Sequence, residues 1–293
     1  MEIARGDQRA VAVTVGGGLR LYESAAQPIL DGYGVDALCD GARGQLLVPW
    51  PNRIRYGRYE FEGIQLRLAL TEPEKGTAIH GLARWVEWQV VRRDANTATL
   101  GLELPAQPGY PFQLRLEVTY RLDDSGLRVS QRATNIGGRA CPYGSGAHPY
   151  LAAAPGLVDD WELTLPARTA LVADHQQIPV ARQPVAGSEL DFRSPRRIGD
   201  LHLDTAFTDL ERDAGGKVTV ALSREGRTMR LWADAAHGYL MVFTGDTLAP
   251  DRQRRGLAVE PMTCAPDAFR SLAGLRVLRP GETVVAEWGI TPG

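Results

Sequence analysis

Apolar and polar side chains alternate with a period of two along much of the chain. The alternation is clearest at residues 64–70, 114–120 and 218–222. Successive side chains of a β-strand point to opposite faces, so this period predicts strands that each bury one face. We find no convincing amphipathic helix longer than about two turns.

Glycine-containing turns separate these apolar runs. Glu62-Gly63, Glu225-Gly226, the triplet at 16–18 and residues 123–126 each lie between two runs. Glycine supplies the positive φ that tight hairpins need, and hairpins in series favour antiparallel sheet. The irregular, proline-containing stretch 167–197 is interpreted as a long surface excursion. The pattern therefore predicts an all-β protein, a single domain over residues 1–293 that forms one large antiparallel β-sandwich.

Composition and charge narrow the function classes. The 293 residues are 44% hydrophobic, and the formal net charge of −2 gives no electrostatic reason to expect nucleic acid or a membrane as a partner. The three cysteines are isolated, which predicts neither a disulfide framework nor a zinc site. No apolar signal segment or membrane-length apolar run is present. We expect a cytoplasmic protein with free thiols.

Five polar residues interrupt the apolar pattern and are candidates for chemistry. They are Arg53, His80, His148, Asp204 and Glu260. Each has a structural alternative: a surface arginine, a bend, a hydrogen-bonded core histidine, a turn cap and a core salt bridge. A carboxylate at the end of an apolar strand often has a perturbed environment and a function. No spacing matches a P-loop, a nucleophile elbow or a dinucleotide fingerprint.

These clusters, in this order, resemble the aldose 1-epimerase (galactose mutarotase-like) family. The resemblance extends from the region of Ala10 to the C-terminus. The segments that carry it are Asn52-Arg53-Ile54, His80-Gly81, His148-Pro149-Tyr150, Asp204 with Phe207, Phe243-Thr244-Gly245, Glu260-Pro261 and residues 278–282.

The resemblance implies a fold and a set of roles. The fold is a large antiparallel β-sandwich, which agrees with the strand pattern. Glu260 would act as general base and His148 as general acid. Arg53, His80 and Asp204 would hydrogen-bond the sugar. No cofactor or metal is implied. At neutral pH an ordinary glutamate, with a pKa of about 4.3, would be ionised and ready to accept a proton.

Two positions depart from the pattern of family members specialised on galactose. Met262 stands where such members often carry glutamine, and Thr205 follows Asp204 where histidine or asparagine is usual. These differences bear on which sugar is bound and leave the acid–base pair untouched. The expected partner is a small-molecule sugar, and both monomer and homodimer remain open.

Three alternative functions stay open at this point. They are a non-catalytic sugar-binding module, an epimerase for an anionic (phosphorylated or sulfonated) sugar, and a domain acting on polysaccharides. The anionic alternative requires additional cations, for which the sequence offers Arg55, Arg58 and the loop 252–255. Three aromatic residues are candidates for stacking on a sugar, although we interpret each as a core residue: Trp50, Trp85 and Phe207.

Overall fold

The computed structural model describes residues 1–152 and 156–293 and confirms the predicted all-β class. The strands of the first half are β1 (Glu2–Arg5), β2 (Gln8–Ala12), β3 (Leu19–Ser24), β4 (Gln27–Pro28), β5 (Leu46–Leu47), β6 (Arg53–Arg55), β7 (Arg58–Phe61), β8 (Ile64–Arg67), β9 (Thr77–Ile79), β10 (Gln89–Arg93), β11 (Thr97–Leu104), β12 (Leu114–Asp123) and β13 (Gly126–Asn135).

The second half continues in the same way. Its strands are β14 (Cys141–Tyr143), β15 (Gly146–Ala147), β16 (Tyr150–Ala152), β17 (Glu162–Thr164), β18 (Ala167–Ala173), β19 (Pro179–Pro184), β20 (Arg196–Arg197), β21 (Asp204–Leu210), β22 (Val218–Arg224), β23 (Arg227–Ala233), β24 (Tyr239–Phe243), β25 (Gly256–Met262), β26 (Arg276–Leu278) and β27 (Thr283–Thr291). The described helices are a 3₁₀ turn at Val158–Asp160 and α1 at Ala268–Ser271. Neither is long and apolar enough to cross a membrane.

Two large antiparallel sheets dominate the architecture. One has nine strands in the order β10-β11-β12-β13-β27-β23-β22-β17-β20. The other has eight strands, in the order β19-β18-β21-β24-β25-β15-β5, with β16 also paired to β25. A four-stranded sheet, β1-β2-β3-β4, and three two-stranded pairs, β6-β9, β7-β8 and β14-β26, complete the described fold.

The nine-stranded sheet follows the sequence pattern closely. In β12 the apolar residues Leu114, Leu116, Val118, Tyr120 and Leu122 are buried, and the residues between them are exposed or half-buried. The turn predicted at 123–126 joins β12 to β13 in a hairpin whose register ends at Asp123 opposite Gly126. One face of this sheet therefore supplies a large part of the hydrophobic core.

The central strand of the eight-stranded sheet is different, because β25 is buried along its whole length. It pairs with β24 on one side, and with β15 and β16 on the other. Such full burial explains the continuous apolar run Leu257-Ala258-Val259. It also places the carboxyl group of Glu260 in the protein interior.

Two local predictions were wrong. The strand at 64–70 ends at Arg67, and Leu68 is the only one of its four alternating apolar residues that is buried. The reason is that β7 and β8 form a hairpin separate from both large sheets, in which Ile64 is exposed and Leu66 is half-buried. The stretch 167–197 is not wholly irregular, because β18 and β19 form a hairpin on the edge of the eight-stranded sheet. An exposed edge strand tolerates the prolines of β19.

Candidate active site

Strand register brings His148 and Glu260 together. Gly146 pairs with Met262 and Tyr150 pairs with Ala258, so His148 lies opposite Glu260 where the ladder is interrupted. Its backbone N–H donates to Gln45 and its carbonyl accepts from Gly44, instead of bonding to β25. Side chains directly opposite each other on neighbouring strands lie close together. The local fold therefore presents an imidazole and a carboxyl group to each other.

The two side chains face each other at short range. His148 Nε2 lies 3.2 Å from Glu260 Oε1, and both side chains are almost completely buried. Nδ1 of His148 and Oε2 of Glu260 have no hydrogen-bond partner among the described residues. A buried carboxyl oxygen without a partner is costly unless a ligand satisfies it. This pair has the spacing and the vacant atoms that proton transfer to and from a bound molecule requires.

Aromatic rings hold the imidazole of His148 in place. The ring of Tyr150 stacks on it at 5.0 Å with an interplanar angle of 13°, and the ring of His80 meets it edge-on at 5.4 Å. The Tyr150 hydroxyl donates to the carbonyl of Gly41, and the Arg43 guanidinium lies 4.5 Å from the centroid of the Tyr150 ring. Packing on two sides restricts the imidazole to one orientation.

His80 is positioned by a reciprocal contact with Asn52. The backbone N–H of Asn52 donates to His80 Nδ1 at 3.2 Å, and the backbone N–H of His80 donates to the Asn52 carbonyl at 2.9 Å. Both residues have positive φ. At the following residue, Gly81, a Cβ atom would lie 2.0 Å from the carbonyl oxygen of Val48, so only glycine fits. Because Nδ1 accepts a hydrogen bond, the proton of a neutral His80 ring lies on Nε2.

Arg53 is held by a carboxylate that the sequence interpretation did not include. Its Nε and Nη2 donate to Glu72 Oε2 and Oε1 at 2.7 and 2.8 Å, a bidentate pair. Thr77, next to Arg55 in the β6-β9 ladder, donates to the same carboxylate at 2.6 Å. This arrangement fixes the guanidinium plane of Arg53 and neutralises its charge.

A cavity of about 310 Å³ joins these residues to Asp204. Asp204 begins β21, lines the cavity and is half-buried, with no ion-pair partner within 4.0 Å among the described residues. The structure thus brings all five candidate residues to one cavity, although they are far apart in sequence: Arg53, His80, His148, Asp204 and Glu260.

Burial changes the protonation expected for the pair. Burial raises the pKa of Glu260 well above the usual value. The negative charge of Asp204 raises this pKa further, whereas the positive charge of Arg53 lowers it. Burial lowers the pKa of His148 to about 3. The expectation that Glu260 behaves as an ordinary ionised glutamate was therefore wrong. Both shifts favour the uncharged forms, so in the resting site the proton of the pair lies on the carboxyl group.

The same groups have donor atoms close enough to hold a small cation. One ligand atom each from His80, His148 and Glu260 lies within 4.8 Å of the other two. The sequence predicted no metal here. A proton shared between His148 and Glu260 satisfies the same atoms that a cation would bind, so proton chemistry requires no further group.

The amino-acid sequence matches the family model for aldose 1-epimerase over residues 2–291. The chain belongs to the aldose 1-epimerase family. This family member is 34% identical over 286 residues to the uncharacterized protein YihR of Escherichia coli (strain K12), covering 96% of this chain and 89% of YihR. It is 30% identical over 165 residues to human galactose mutarotase, which covers 52% of this chain and 47% of the human protein.

Solved structures share the fold of this family member. The aldose epimerase homologue from C. elegans has a TM-score of 0.90 at 19% identity, covering 100% of this chain and 98% of its own. A galactose 1-epimerase from Lactobacillus acidophilus has a TM-score of 0.82 at 19% identity, covering 99% and 93%. These similarities show that the sandwich is the family fold.

Several cavity residues escaped the sequence interpretation. Trp85 was interpreted as a core residue, yet it is 53% exposed and lines the cavity, whereas Trp50 and Phe207 do lie in the core. Glu72 and Arg84 were not singled out. The signal available for Arg84 and Trp85 was their closeness in sequence to the candidate residue His80.

Proposed function

We propose that this protein is an aldose 1-epimerase (mutarotase) that interconverts the α and β anomers of a free aldose. The observation that carries the proposal is the Glu260–His148 pair, 3.2 Å apart at a cavity of sugar size. Anomer exchange opens the ring, rotates the C1–C2 bond and closes the aldehyde from its other face. Opening requires that one proton leave the C1 hydroxyl and another reach the ring oxygen.

The pair can perform both transfers with the one proton that it holds. That proton passes from Glu260 to His148 across their contact, which leaves a carboxylate facing an imidazolium. Glu260 then takes the proton of the C1 hydroxyl while His148 gives its proton to the ring oxygen. Ring closure reverses these steps, so the pair ends as it began. Acid–base assistance of this kind contributes roughly 100- to 10,000-fold in rate.

The remaining cavity residues bind and orient the sugar in this proposal. Arg53 and His80 present N–H donors, and Asp204 presents a carboxylate that accepts from sugar hydroxyls. Trp85 offers an exposed indole at the rim, where the C–H face of a sugar can stack. A non-catalytic sugar-binding module is the rival function, but it has no need for a buried carboxyl group facing an imidazole.

A polarimetric screen tests the proposal. Freshly dissolved α- and β-aldoses are mixed with purified protein, and the approach to anomeric equilibrium is compared with the spontaneous rate. We expect faster approach to the same equilibrium rotation, because a catalyst does not shift an equilibrium. Acceleration should persist in EDTA and in a reducing agent, and its loss with chelator, restored by one divalent ion, would contradict the cofactor-free mechanism. Sugar binding without acceleration of any aldose would establish the binding module instead.

A further inference from the structure

Arg84 is a cation at the cavity without a counter-ion. It lines the cavity and is half-buried, and no carboxylate among the described residues lies within 4.0 Å of its guanidinium. Its Nη1 donates to Gln45 Oε1 at 3.3 Å, which uses one of its five N–H donors. Arg53, in the same cavity, has a bidentate carboxylate. Burial lowers the pKa of Arg84, and the charges of Cys39 and Glu72 oppose this shift without cancelling it.

The other arginines that the sequence offered are already committed or lie elsewhere. Arg55 donates to Asp174 and Gln176, and Arg58 is exposed outside the cavity. In the loop 252–255, the described contacts of Arg252 and Arg254 are to carboxylates and carbonyls away from the cavity: Asp31, Gly32, Asp159, Asp246, Gly199 and Leu201.

Arg84 lies at the imidazole end of the cavity, because Gln45 contacts both its guanidinium and its backbone carbonyl, and the carbonyl of Gln45 accepts from the backbone N–H of His148. Its charge lowers the pKa of both His80 and His148. Arg53 lowers the pKa of all four groups, His80, His148, Glu260 and Asp204, whereas Arg84 acts only on the two imidazoles. The cavity therefore has two ends: Arg84 stands beside the imidazoles, and the free carboxyl group of Asp204 stands near Glu260.

The chemistry of a pyranose ring relates these ends to the atoms of the sugar. If Glu260 faces the C1 hydroxyl and His148 faces the ring oxygen, C2 extends from C1 on the carboxyl side. C5 is bonded to the ring oxygen, so C5 and its substituent C6 extend on the imidazole side. A group on C6 then lies at the end of the cavity where Arg84 has unused donors.

We propose that Arg84 binds an anionic group on C6 of the sugar, so that the preferred substrate is a charged aldopyranose and not a neutral one. The group is a phosphate, a sulfonate or a carboxylate, each of which accepts the planar fork of a guanidinium. This inference rests on the proposed mutarotase function, because the acid–base pair fixes the orientation of the ring.

The test compares charged and neutral sugars of one configuration. Mutarotation is measured for glucose, its 6-phosphate, its 6-sulfonate and glucuronate, each corrected for its spontaneous rate. We expect kcat/KM at least roughly tenfold higher for one of the anions than for glucose, mainly through a lower KM, since a charged hydrogen bond is worth more than a neutral one. The ranking of the three anions identifies the group. Equal kcat/KM for glucose and all three anions would overturn the inference.

Variants assign the effect to Arg84. In Arg84→Gln the ratio of anionic to neutral kcat/KM should fall by about 10- to 100-fold, and Arg84→Lys should recover part of it because the charge is kept. Arg58→Gln, a matched loss of an exposed arginine, should leave the ratio as in the wild type. A wild-type ratio in Arg84→Gln would overturn the inference.

One further measurement separates this inference from the proposed function and avoids the variants. Calorimetric binding of glucitol 6-phosphate and of glucitol to the wild type should show tighter binding of the anion, even if Arg84→Gln does not fold. If no sugar is mutarotated, the proposed function fails, while tighter binding of the anion would still support an anion site at Arg84. If the enzyme is active and binds glucitol 6-phosphate and glucitol equally well, the anion site is overturned and the proposed function stands.

Discussion

The two large sheets bury different kinds of side chain, although both are antiparallel. In β12 and β13 the buried side chains are apolar except for Gln131 and Asn135, and they alternate with exposed or half-buried residues. In β25 every residue is buried, and one of them is Glu260. Burial of apolar side chains stabilises the first sheet, whereas in the second sheet the desolvation of a carboxyl group and an imidazole offsets part of that stabilisation. Variants in the two sheets should therefore separate stability from activity.

The largest effect is expected in the nine-stranded sheet. Leu116→Ala removes a side chain that is 2% exposed in the core, which should lower the free energy of unfolding by about 2–5 kcal/mol. Urea unfolding measures this loss. Mutarotation per folded molecule should stay near the wild-type rate, because β12 does not line the cavity. Arg121→Ala, an exposed site on the same strand, is the control, and a loss below about 1 kcal/mol in Leu116→Ala would contradict the comparison.

The opposite result is expected in the eight-stranded sheet. Glu260→Gln and His148→Asn should each lower kcat by roughly 100-fold or more while KM changes little. A carboxyl group whose pKa is raised in the folded state contributes stability below its unfolded pKa and loses it as pH rises through the folded pKa. At pH 8 Glu260→Gln should therefore unfold at a temperature no lower than the wild type. Thermal scans check this, and near-wild-type activity in Glu260→Gln would refute the mechanism.

A smaller effect should come from the support of Arg53. Glu72→Gln removes one charge from the bidentate pair, and we expect kcat/KM to fall by roughly tenfold, with KM rising more than kcat falls. Glu103→Gln, in the exposed pair with Arg115, is the matched control and should change neither constant. Equal losses in kcat and kcat/KM for Glu72→Gln would mean that Arg53 acts mainly in the transition state.

How far the sequence predicts this molecule differs between the same two regions. The alternation at 114–120 and the turn at 123–126 predict the β12-β13 hairpin, because side-chain period and turn chemistry are local properties. Convergence of Arg53 with Asp204 is not local, and the sequence reached it only through the family resemblance. Glu72 was missed because its partner lies 19 residues away across a ladder that no local pattern specifies.

Protonation was the other feature that the sequence did not predict. The ordinary pKa values of glutamate and histidine suggest a carboxylate beside a titrating imidazole. Full burial disfavours both charged forms and inverts that order. Burial depends on which strands cover β25, which is a property of the whole sheet. The pH dependence of kcat/KM should therefore depend on how the surrounding strands bury Glu260 and His148.

The smallest effect is expected in the pH profile of kcat/KM, whose acid and basic limbs have different causes. The active free enzyme holds one proton on the pair, so kcat/KM should fall below about pH 4, as His148 with its pKa of about 3 takes a second proton. On the basic side it should fall as the single proton leaves Glu260. Asp204 contributes to the raised pKa of Glu260 but is not among the causes of the His148 shift.

Asp204→Asn should consequently move only one limb. Removing a negative charge near Glu260 makes its ionised form less costly, so the basic limb should shift to lower pH, by up to about one unit. The acid limb should stay in place, because the shift of His148 comes from burial and from neighbouring arginines. The experiment is a kcat/KM profile of both proteins from about pH 2.5 to 9, with circular dichroism confirming the fold at each end. A basic limb that moves upward, or two limbs that move together, would show that Asp204 does not act on Glu260 through its charge, since like-charge repulsion can only raise the pKa of the carboxyl group it faces.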